Sequence, residues 1–174
     1  PVHIGGESTI VDMTVEPPMI LRPGAVTKEM LEETVGEVSV DHTILTADSK
    51  TPPKAPGMKY RHYAPRAEMT VVEGSLEKVV DKISELAAAR EREGRRTGII
   101  ATRETMDRYT SRNVKCIGTR EDESTVAANL YAILRDFDDD GTEFIYSEAF
   151  ASDGIGSAVM NRLLKAAGHH VINV

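Results

Sequence analysis

The sequence has little cysteine and no long apolar run. Cys116 is the only cysteine among its 174 residues, which excludes an internal disulfide and leaves metal sites to histidine and carboxylate side chains. No apolar run approaches the roughly 18 residues that span a bilayer, and the first residues lack the basic and apolar regions of a secretion signal. We therefore expect a cytoplasmic protein with no membrane attachment.

The chain as a whole is acidic, with one basic exception. Its net charge of -7 and its pI near 5.3 argue against a broad nucleic-acid-binding face, which needs an extended basic surface. Residues 50–66, which we call the basic segment, contain no acidic residue and five cations: Lys50, Lys54, Lys59, Arg61 and Arg66. Contact with an anion is therefore expected to be local to this segment.

The basic segment also holds four of the eight prolines: Pro52, Pro53, Pro56 and Pro65. Because proline removes a backbone donor and holds its predecessor extended, the segment is neither an ordinary helix nor an ordinary strand. One interpretation is a spacer between domains, which composition alone favours. The other is a stiffened clasp over an anionic ligand, formed by Lys59, Tyr60, Arg61, His62 and Tyr63.

Beyond residue 67 the apolar residues alternate between strand spacing and helical spacing. Helices are predicted to begin near Ser75, Arg103, Ser124, and Ser152 or Asp153. The predicted strands cover residues 69–72, 97–101, 114–117, 144–146 and 171–174. Five strands alternating with four helices predict a doubly wound, Rossmann-like α/β domain with a largely parallel sheet.

The first 36 residues follow a different pattern. Strands are predicted at residues 8–15 and 19–22, and a helix runs from its cap at Thr27 to Val35, where Gly36 ends it. Two strands and one short helix cannot close a core by themselves. We therefore expect residues 1–36 to be the end of a larger domain.

Two common motifs are only partly present. Gly154-Ile155-Gly156 opens a helix as a dinucleotide loop would, but Val159 stands where the third glycine belongs, which favours a packing or capping role. Residues 136–141 resemble the first half of a calcium loop, but Ser147 occupies the position of the bidentate glutamate. A solvated acidic turn is the favoured interpretation, and no metal site is predicted.

Four motifs, in order along the chain, carry a resemblance to a known family. They are Gly-Gly-Glu-Ser-Thr-Ile-Val-Asp at 5–12, Leu-Arg-Pro-Gly at 21–24, Pro-Gly-Met-Lys-Tyr-Arg-His-Tyr-Ala-Pro at 56–65 and Gly-Ile-Gly-Ser-Ala-Val-Met-Asn-Arg-Leu at 154–163. Together they resemble the second half of the two-domain threonylcarbamoyl-AMP synthases. These proteins join a YrdC-like catalytic domain through an extended linker to a Rossmann-like C-terminal domain. The Lys-Tyr-Arg-His-Tyr motif is the most specific, and the resemblance changes the interpretation of the basic segment from spacer to lid.

The resemblance implies an activity and its participants. The family condenses L-threonine, bicarbonate and ATP into threonylcarbamoyl-AMP and pyrophosphate, the first step in making threonylcarbamoyl-adenosine of tRNA. ATP would be a substrate with Mg²⁺ on its phosphates, and downstream tRNA-modification proteins would be partners. No catalytic side chain is assigned, but substrate- or nucleotide-binding roles are implied for Ser8, Thr9, Arg22, Lys59, Tyr60, Arg61, His62 and Tyr63.

The resemblance also implies a division of the chain. Residues 1–36 would be the C-terminal remnant of the YrdC-like domain, residues 37–66 the linker or lid, and residues 67–174 the Rossmann-like domain. The family's Lys/Arg-containing and Ser-Ala-Asn-type motifs belong to an upstream half, so this chain alone is expected to be inactive without that half. The alternative is a Rossmann-like regulatory module that binds a nucleotide or a protein without chemistry.

Overall fold

The N-terminal residues form a small mixed sheet in a computed structural model of the protein, which describes residues 8–44, 64–151 and 153–174. Strand β1 pairs antiparallel with β2, and β2 pairs parallel with β3. The elements are β1 (Ile10–Asp12), β2 (Met19–Arg22), helix α1 (Lys28–Val35) and β3 (Ser39–Val40). The predicted cap of α1 is confirmed, because the Thr27 side chain accepts the N–H of Met30 at 3.4 Å and Gly36 follows the last helical residue.

This small sheet encloses little apolar volume. Its buried side chains are those of Ile20, Val38 and Ile44, with Val11 and Leu31 packed against them. No residue of α1 is fully buried. Strand β1 is shorter than predicted, and β3 lies in a stretch that the apolar pattern did not identify as a strand.

The residues after 67 form a five-stranded parallel sheet. Its order is β6-β5-β7-β4-β8, and every neighbouring pair is parallel. The elements are β4 (Glu68–Glu73), α2 (Leu76–Arg92), β5 (Thr97–Thr102), β6 (Val114–Gly118), α3 (Glu123–Asp139), β7 (Phe144–Glu148), α4 (Gly154–Ala166) and β8 (Val171–Asn173). The predicted doubly wound α/β fold with a parallel sheet is confirmed.

Helices cover both faces of this sheet because successive strand residues point to opposite sides. In β5, Ile100 packs with side chains of α3 and α4, whereas Ile99 and Ala101 pack with α2. The connections between parallel strands are right-handed. A connection that leads to a strand on the left therefore lies on one face of the sheet, and one that leads to a strand on the right lies on the other face. Helix α3 buries the five residues that helical spacing predicted to face inward: Val126, Ala127, Leu130, Ile133 and Leu134.

The structure differs from the prediction in two elements. The helix expected near Arg103 is a single 3-10 turn, Met106–Arg108, because the Thr105 N–H donates to the carbonyl of Thr102 and closes a tight turn. Helix α3 begins one residue earlier than predicted, because the Asp122 side chain accepts the Ser124 N–H at 3.1 Å.

Asp153 takes the capping position of α4 but makes no side-chain cap bond. Across residues 8–44, 64–151 and 153–174, no helix is both long enough and apolar enough to cross a membrane.

The contact between Gly98 and Phe137 gives a test of the packing between β5 and α3. A Cβ atom at Gly98 would lie 2.3 Å from Cε1 of the Phe137 ring. We expect Gly98→Ala to lower the free energy of unfolding by about 1–3 kcal/mol through overpacking. Urea unfolding measures this loss. In a Phe137→Leu background the same substitution should cost less, and an equal cost in both backgrounds would contradict the packing described.

Candidate functional site

Strands β1 and β2 bring two of the predicted site residues together. Ile10 pairs with Arg22 in the antiparallel ladder, so Arg22 lies beside the residues that precede β1. Arg22 Nε donates to the main-chain carbonyl of Ser8 at 3.0 Å. The bond fixes one edge of the guanidinium against the backbone, while the Ser8 residue is exposed to solvent.

Thr9 is held to the turn that leads into α1. Its hydroxyl donates to the carbonyl of Val26 at 2.7 Å and accepts the N–H of the same residue at 3.2 Å. A threonine hydroxyl has one donor and two acceptor sites. The donor and one acceptor are therefore used within the chain, and Thr9 positions the Arg22-Pro23-Gly24 turn relative to β1.

The other predicted binding residues lie outside the described part of the chain. They are Lys59, Tyr60, Arg61, His62 and Tyr63. Ser8, Thr9 and Arg22 lie within the described part of the chain, and these three residues are neighbours.

A second group of polar side chains lies at the carboxyl edge of the large sheet. The chain leaves β5 on the α2 face toward β6, and it leaves β7 on the α4 face toward β8. Because β5 and β7 are neighbours whose connections run in opposite directions, this is the place where open α/β sheets form a ligand crevice. Thr102 ends β5, and Glu148 ends β7.

The Glu148 carboxylate is the centre of this group and is fully buried. One oxygen accepts the hydroxyl of Tyr109 at 2.9 Å and that of Thr105. The other accepts Nη2 of Arg120 at 2.6 Å and the hydroxyl of Thr102 at 3.4 Å. Burial and the adjacent carboxylate raise the pKa of Tyr109 well above its usual range. The buried carboxylate thus has a charged partner and three hydroxyl donors, as a buried charge requires.

Arg120 links the loops that follow three different strands. Its Nη2 also donates to the carbonyl of Ala149 at 3.1 Å, and its guanidinium carbon lies 5.0 Å from the centre of the Phe150 ring. Its own backbone N–H donates to Glu104 at 2.9 Å. Glu104 follows β5, Arg120 follows β6, and Ala149 follows β7, so this one residue ties the three loops together.

Hydrogen bonds to Glu104 stabilise its ionised form and lower its pKa. Burial alone would raise its pKa, but hydrogen bonds from the Thr119 hydroxyl, its own backbone N–H and the Arg120 N–H lower the pKa from 4.5 to about 2. The side chain is nevertheless exposed, so its contribution to stability is reduced by solvent screening.

The N-terminus of α4 already holds a carboxylate of the chain itself. A Cβ atom on Gly156 would lie 2.7 Å from one oxygen of Glu123 and 2.4 Å from the carbonyl of Ala151. Burial raises the pKa of Glu123, and hydrogen bonds from the N–H groups of Gly156 and Ala151 offset part of that rise. The glycine therefore makes room for Glu123, in agreement with a packing and capping role and not with a dinucleotide phosphate loop.

Sequence reasoning missed the group around Glu148. The signal in the sequence is a polar residue at the carboxyl end of an apolar strand, as with Thr102 in β5 and Glu148 in β7. The predicted strands stopped at Ala101 and Tyr146, so neither residue was included in them. Glu148 accepts from Arg120 Nη2 and from the hydroxyls around it, so the geometry is that of a structural lock, although Arg120 Nε is buried there without a hydrogen-bond partner among the described residues. Ser8, Thr9 and Arg22 remain the candidate ligand-binding residues.

In the acidic turn after α3, the Asp140 side chain is bonded to other groups of the chain. Asp140 accepts Thr142 N–H at 3.0 Å and Asn113 Nδ2 at 3.2 Å, and it pairs with Lys115 Nζ at 3.1 Å. In the described ranges no group of three or more His, Cys, Asp or Glu side chains could hold a metal ion.

The family model and the curated relatives that match this chain belong to the same family. The family model described as "Threonylcarbamoyl-AMP synthase, C-terminal domain" matches residues 26–168. The chain is 43% identical over 172 residues to the threonylcarbamoyl-AMP synthase of Bacillus subtilis, which covers 99% of this chain and 48% of that protein. The chain thus spans about half the length of the curated relatives it matches.

The chain is similar to solved structures of longer Sua5 proteins and of a separate C-terminal Sua5 domain. Sua5 of Pyrococcus abyssi complexed with L-threonine has a TM-score of 0.86 and 40% identity, over 99% of this chain and 48% of that chain. The same protein has been solved as a variant in which an adjacent histidine and tyrosine are both alanine. A C-terminal Sua5 domain from Pyrococcus horikoshii matches along 100% of its own length and 64% of this chain, with a TM-score of 0.51 and 35% identity.

Removing the Glu148 carboxylate tests the lock. Glu148→Ala leaves Arg120 and three hydroxyls without their acceptor, so we expect a loss of about 3–5 kcal/mol in the free energy of unfolding by urea titration. Glu85→Ala is the matched control, because Glu85 pairs with Lys82 at 3.0 Å in an exposed position and should cost below about 1 kcal/mol. Similar losses for the two variants would show that Glu148 does not act as a lock.

The lowered pKa of Glu104 predicts a change of stability in acid. Its stabilising contribution is fully present above the ordinary pKa of 4.5 and is lost as the pH falls toward about 2. Glu104→Gln should therefore flatten the decline of unfolding free energy across that window, measured as urea midpoints at several pH values. Thr119→Val removes one of the donors and should flatten the decline in part. Identical pH profiles for wild type and Glu104→Gln would refute the assignment.

Proposed function

Because the chain belongs to the family of threonylcarbamoyl-AMP synthase C-terminal domains, we propose that it is the C-terminal part of an enzyme that makes threonylcarbamoyl-AMP. The observation that carries this proposal is 43% identity to such an enzyme along 99% of the chain. The TM-score of 0.86 to Pyrococcus abyssi Sua5 supports it. Since the chain spans about half of these relatives, the activity is assigned to the longer protein.

The proposed reaction joins L-threonine, bicarbonate and ATP. The amino group of threonine bonds to the carbon of bicarbonate and water leaves, which gives a carbamate. A carbamate oxygen then bonds to the α-phosphorus of ATP, the bond from that phosphorus to the bridging oxygen breaks, and pyrophosphate leaves. These steps bring several anions together, so positioning and charge neutralisation are needed more than a protein nucleophile. Mg²⁺ is assigned to the ATP phosphates and not to side chains of this chain.

Ser8, Thr9 and Arg22 are assigned to one wall of the pocket that binds substrate or nucleotide. The bond from Arg22 Nε to the Ser8 carbonyl orients the guanidinium, and the two bonds between Thr9 and Val26 hold the turn that follows Arg22. A guanidinium held in this way suits a carboxylate or phosphate, which it binds with parallel hydrogen bonds.

The basic segment is proposed to close over the same pocket. Its cations and His62 would face phosphate or carboxylate groups, and Tyr63 would donate a hydrogen bond or stack. The Pyrococcus abyssi Sua5 has been solved with a histidine and the tyrosine that follows it both replaced by alanine. His62-Tyr63 is the one His-Tyr pair in the present sequence.

The distribution of exposed apolar side chains supports the proposed division of the chain. Among the described residues, the large hydrophobic side chains that are exposed all lie before residue 45: Met13, Val26, Met30, Val35 and Val40. These exposed side chains are available to a protein segment that completes the N-terminal domain. We propose that residues 1–36 complete a YrdC-like domain with an upstream half, that residues 37–66 are the linker or lid, and that residues 67–174 are the Rossmann-like domain. The separately solved domain from Pyrococcus horikoshii supports the last of these. The first residues of the linker belong to the small sheet, because β3 pairs with β2, and Val38 and Ile44 are buried in its core.

Pyrophosphate release tests the proposal. The longer protein, supplied with ATP, L-threonine and bicarbonate, should release pyrophosphate, and this chain alone should not. Rapid turnover by the chain alone would overturn the assignment of its residues to one wall of a shared pocket. Failure of the longer protein to turn over would favour the regulatory module that binds nucleotide or protein without chemistry.

Variants of the basic segment test the lid. In the longer protein, Arg61→Ala and Tyr63→Phe should each lower the rate of pyrophosphate release by roughly tenfold, since each removes a donor to a charged group. The melting temperature of the C-terminal domain should stay nearly unchanged. Lys78→Ala, an exposed change on α2, is the control. Unchanged kinetics in both lid variants would return the basic segment to a spacer.

A further inference from the structure

An open cavity of about 700 Å³ lies at the amino edge of the large sheet, opposite the edge that carries Glu148. Thr97, the first residue of β5, and Asn113, the residue before β6, form part of its wall. Three arginines line it: Arg95, Arg96 and Arg112. Three guanidiniums around one concave surface are notable in a chain whose net charge is -7.

The carboxylates near the cavity are largely engaged. Arg95 pairs with Glu143 at 3.1 Å, and Asp140 pairs with Lys115 at 3.1 Å. Burial would raise the pKa of Asp140, but hydrogen bonds from Thr142, Lys115 and Asn113 lower it, so Asp140 is ionised and already compensated.

Glu91, the remaining acid on the wall, accepts the hydroxyl of Ser111 at 2.5 Å. Within the described residues, Arg96 and Arg112 form no ion pair with a carboxylate. A hydroxyl donor brings no positive charge to Glu91. Among the described residues, the wall therefore carries two guanidiniums without a paired carboxylate, those of Arg96 and Arg112, and one carboxylate without a paired cation, that of Glu91.

The main chain and the neighbouring turn hold Arg96 in place. Its backbone N–H donates to the Glu143 carboxylate at 2.9 Å, and its carbonyl accepts the N–H of Glu143 at 2.8 Å. The guanidinium lies against Gly141, where a Cβ atom would be 2.8 Å from Nη1 of Arg96. Gly141 also has a φ of +71°, which disfavours any residue with a side chain. The backbone of Arg96 is thus fixed to Glu143, and its exposed guanidinium lies beside Gly141 at the cavity.

We propose that this cavity binds a compact phosphoanion, either free pyrophosphate or the polyphosphate tail of a nucleotide. Guanidinium groups bind phosphate oxygens through parallel charged hydrogen bonds. The volume lies within the usual range of small-molecule sites, about 300–1,000 Å³. A basic cavity on an acidic chain suits a small anion better than a nucleic-acid backbone, which needs an extended basic surface. The proposal does not depend on the synthase assignment, since it uses only residues around the C-terminal sheet.

Titration of this chain with pyrophosphate, followed by two-dimensional amide NMR, tests the proposal. The amides of Gly94, Thr97 and Gly141 should shift and saturate, and the affinity should fall as salt is added. Arg96→Ala and Arg112→Ala should each weaken binding by about tenfold. Arg96→Lys should have an intermediate effect, because lysine keeps the charge and loses the planar fork. Arg92→Ala, an exposed arginine of α2 outside the cavity wall, should bind as the wild type does.

Further ligands distinguish the source of the phosphate. Equal affinity for tripolyphosphate and ATP identifies free phosphoanions, and tighter binding of ATP identifies the nucleotide tail. The proposal is overturned if pyrophosphate gives no saturable shift up to about 10 mM, if the shifts fall around Ser8 and Arg22, or if Arg96→Ala and Arg112→Ala bind like wild type. It is equally overturned if AMP binds as tightly as ATP, or if a short RNA displaces pyrophosphate at lower concentration.

Discussion

The buried carboxylate of Glu148 is the interaction on which the carboxyl edge of the C-terminal sheet depends. Burying a charge costs several kcal/mol unless a partner and hydrogen bonds compensate it. Here Arg120, Tyr109, Thr102 and Thr105 supply that compensation from the ends and loops of β5 and β6. The need to satisfy one carboxylate therefore sets the conformation of the loops that follow three neighbouring strands.

The two edges of the large sheet differ in which groups occupy them. At the carboxyl edge, where doubly wound folds usually bind their ligands, the chain's own Glu123 occupies the N-terminus of α4, and Glu148 accepts from Arg120 and the surrounding hydroxyls. At the amino edge, Arg96 and Arg112 line an open cavity. In the described residues, the chain's own side chains therefore occupy the carboxyl edge of the sheet. The amino edge carries the open cavity.

Much of the fold could be predicted from the sequence because apolar spacing reports burial. The inward residues of α3 and the five parallel strands were predicted on that basis, and the cap at Thr27 was predicted from its residue type. Glu148 could not be identified, because its strand continues past the apolar residues and its partners lie 28–46 residues away in sequence. Of the predicted site, β1 and β2 bring Ser8 and Arg22 together, whereas the Lys59–Tyr63 residues lie outside the described ranges and stay a prediction.

The N-terminal and C-terminal parts of the chain differ in how completely they bury their apolar surface. The small sheet has three fully buried apolar side chains and exposes Met13 and Met30, whereas the large sheet is covered on both faces. Hydrogen exchange of the backbone amides tests this difference most directly. In a chain shown to be monomeric, the slowest amides should lie in β4, β5 and β7, and those of Ile10 and Leu21 should exchange much faster. Equally strong, cooperative protection of Ile10 and Leu21 would contradict the view that residues 1–36 need an upstream partner.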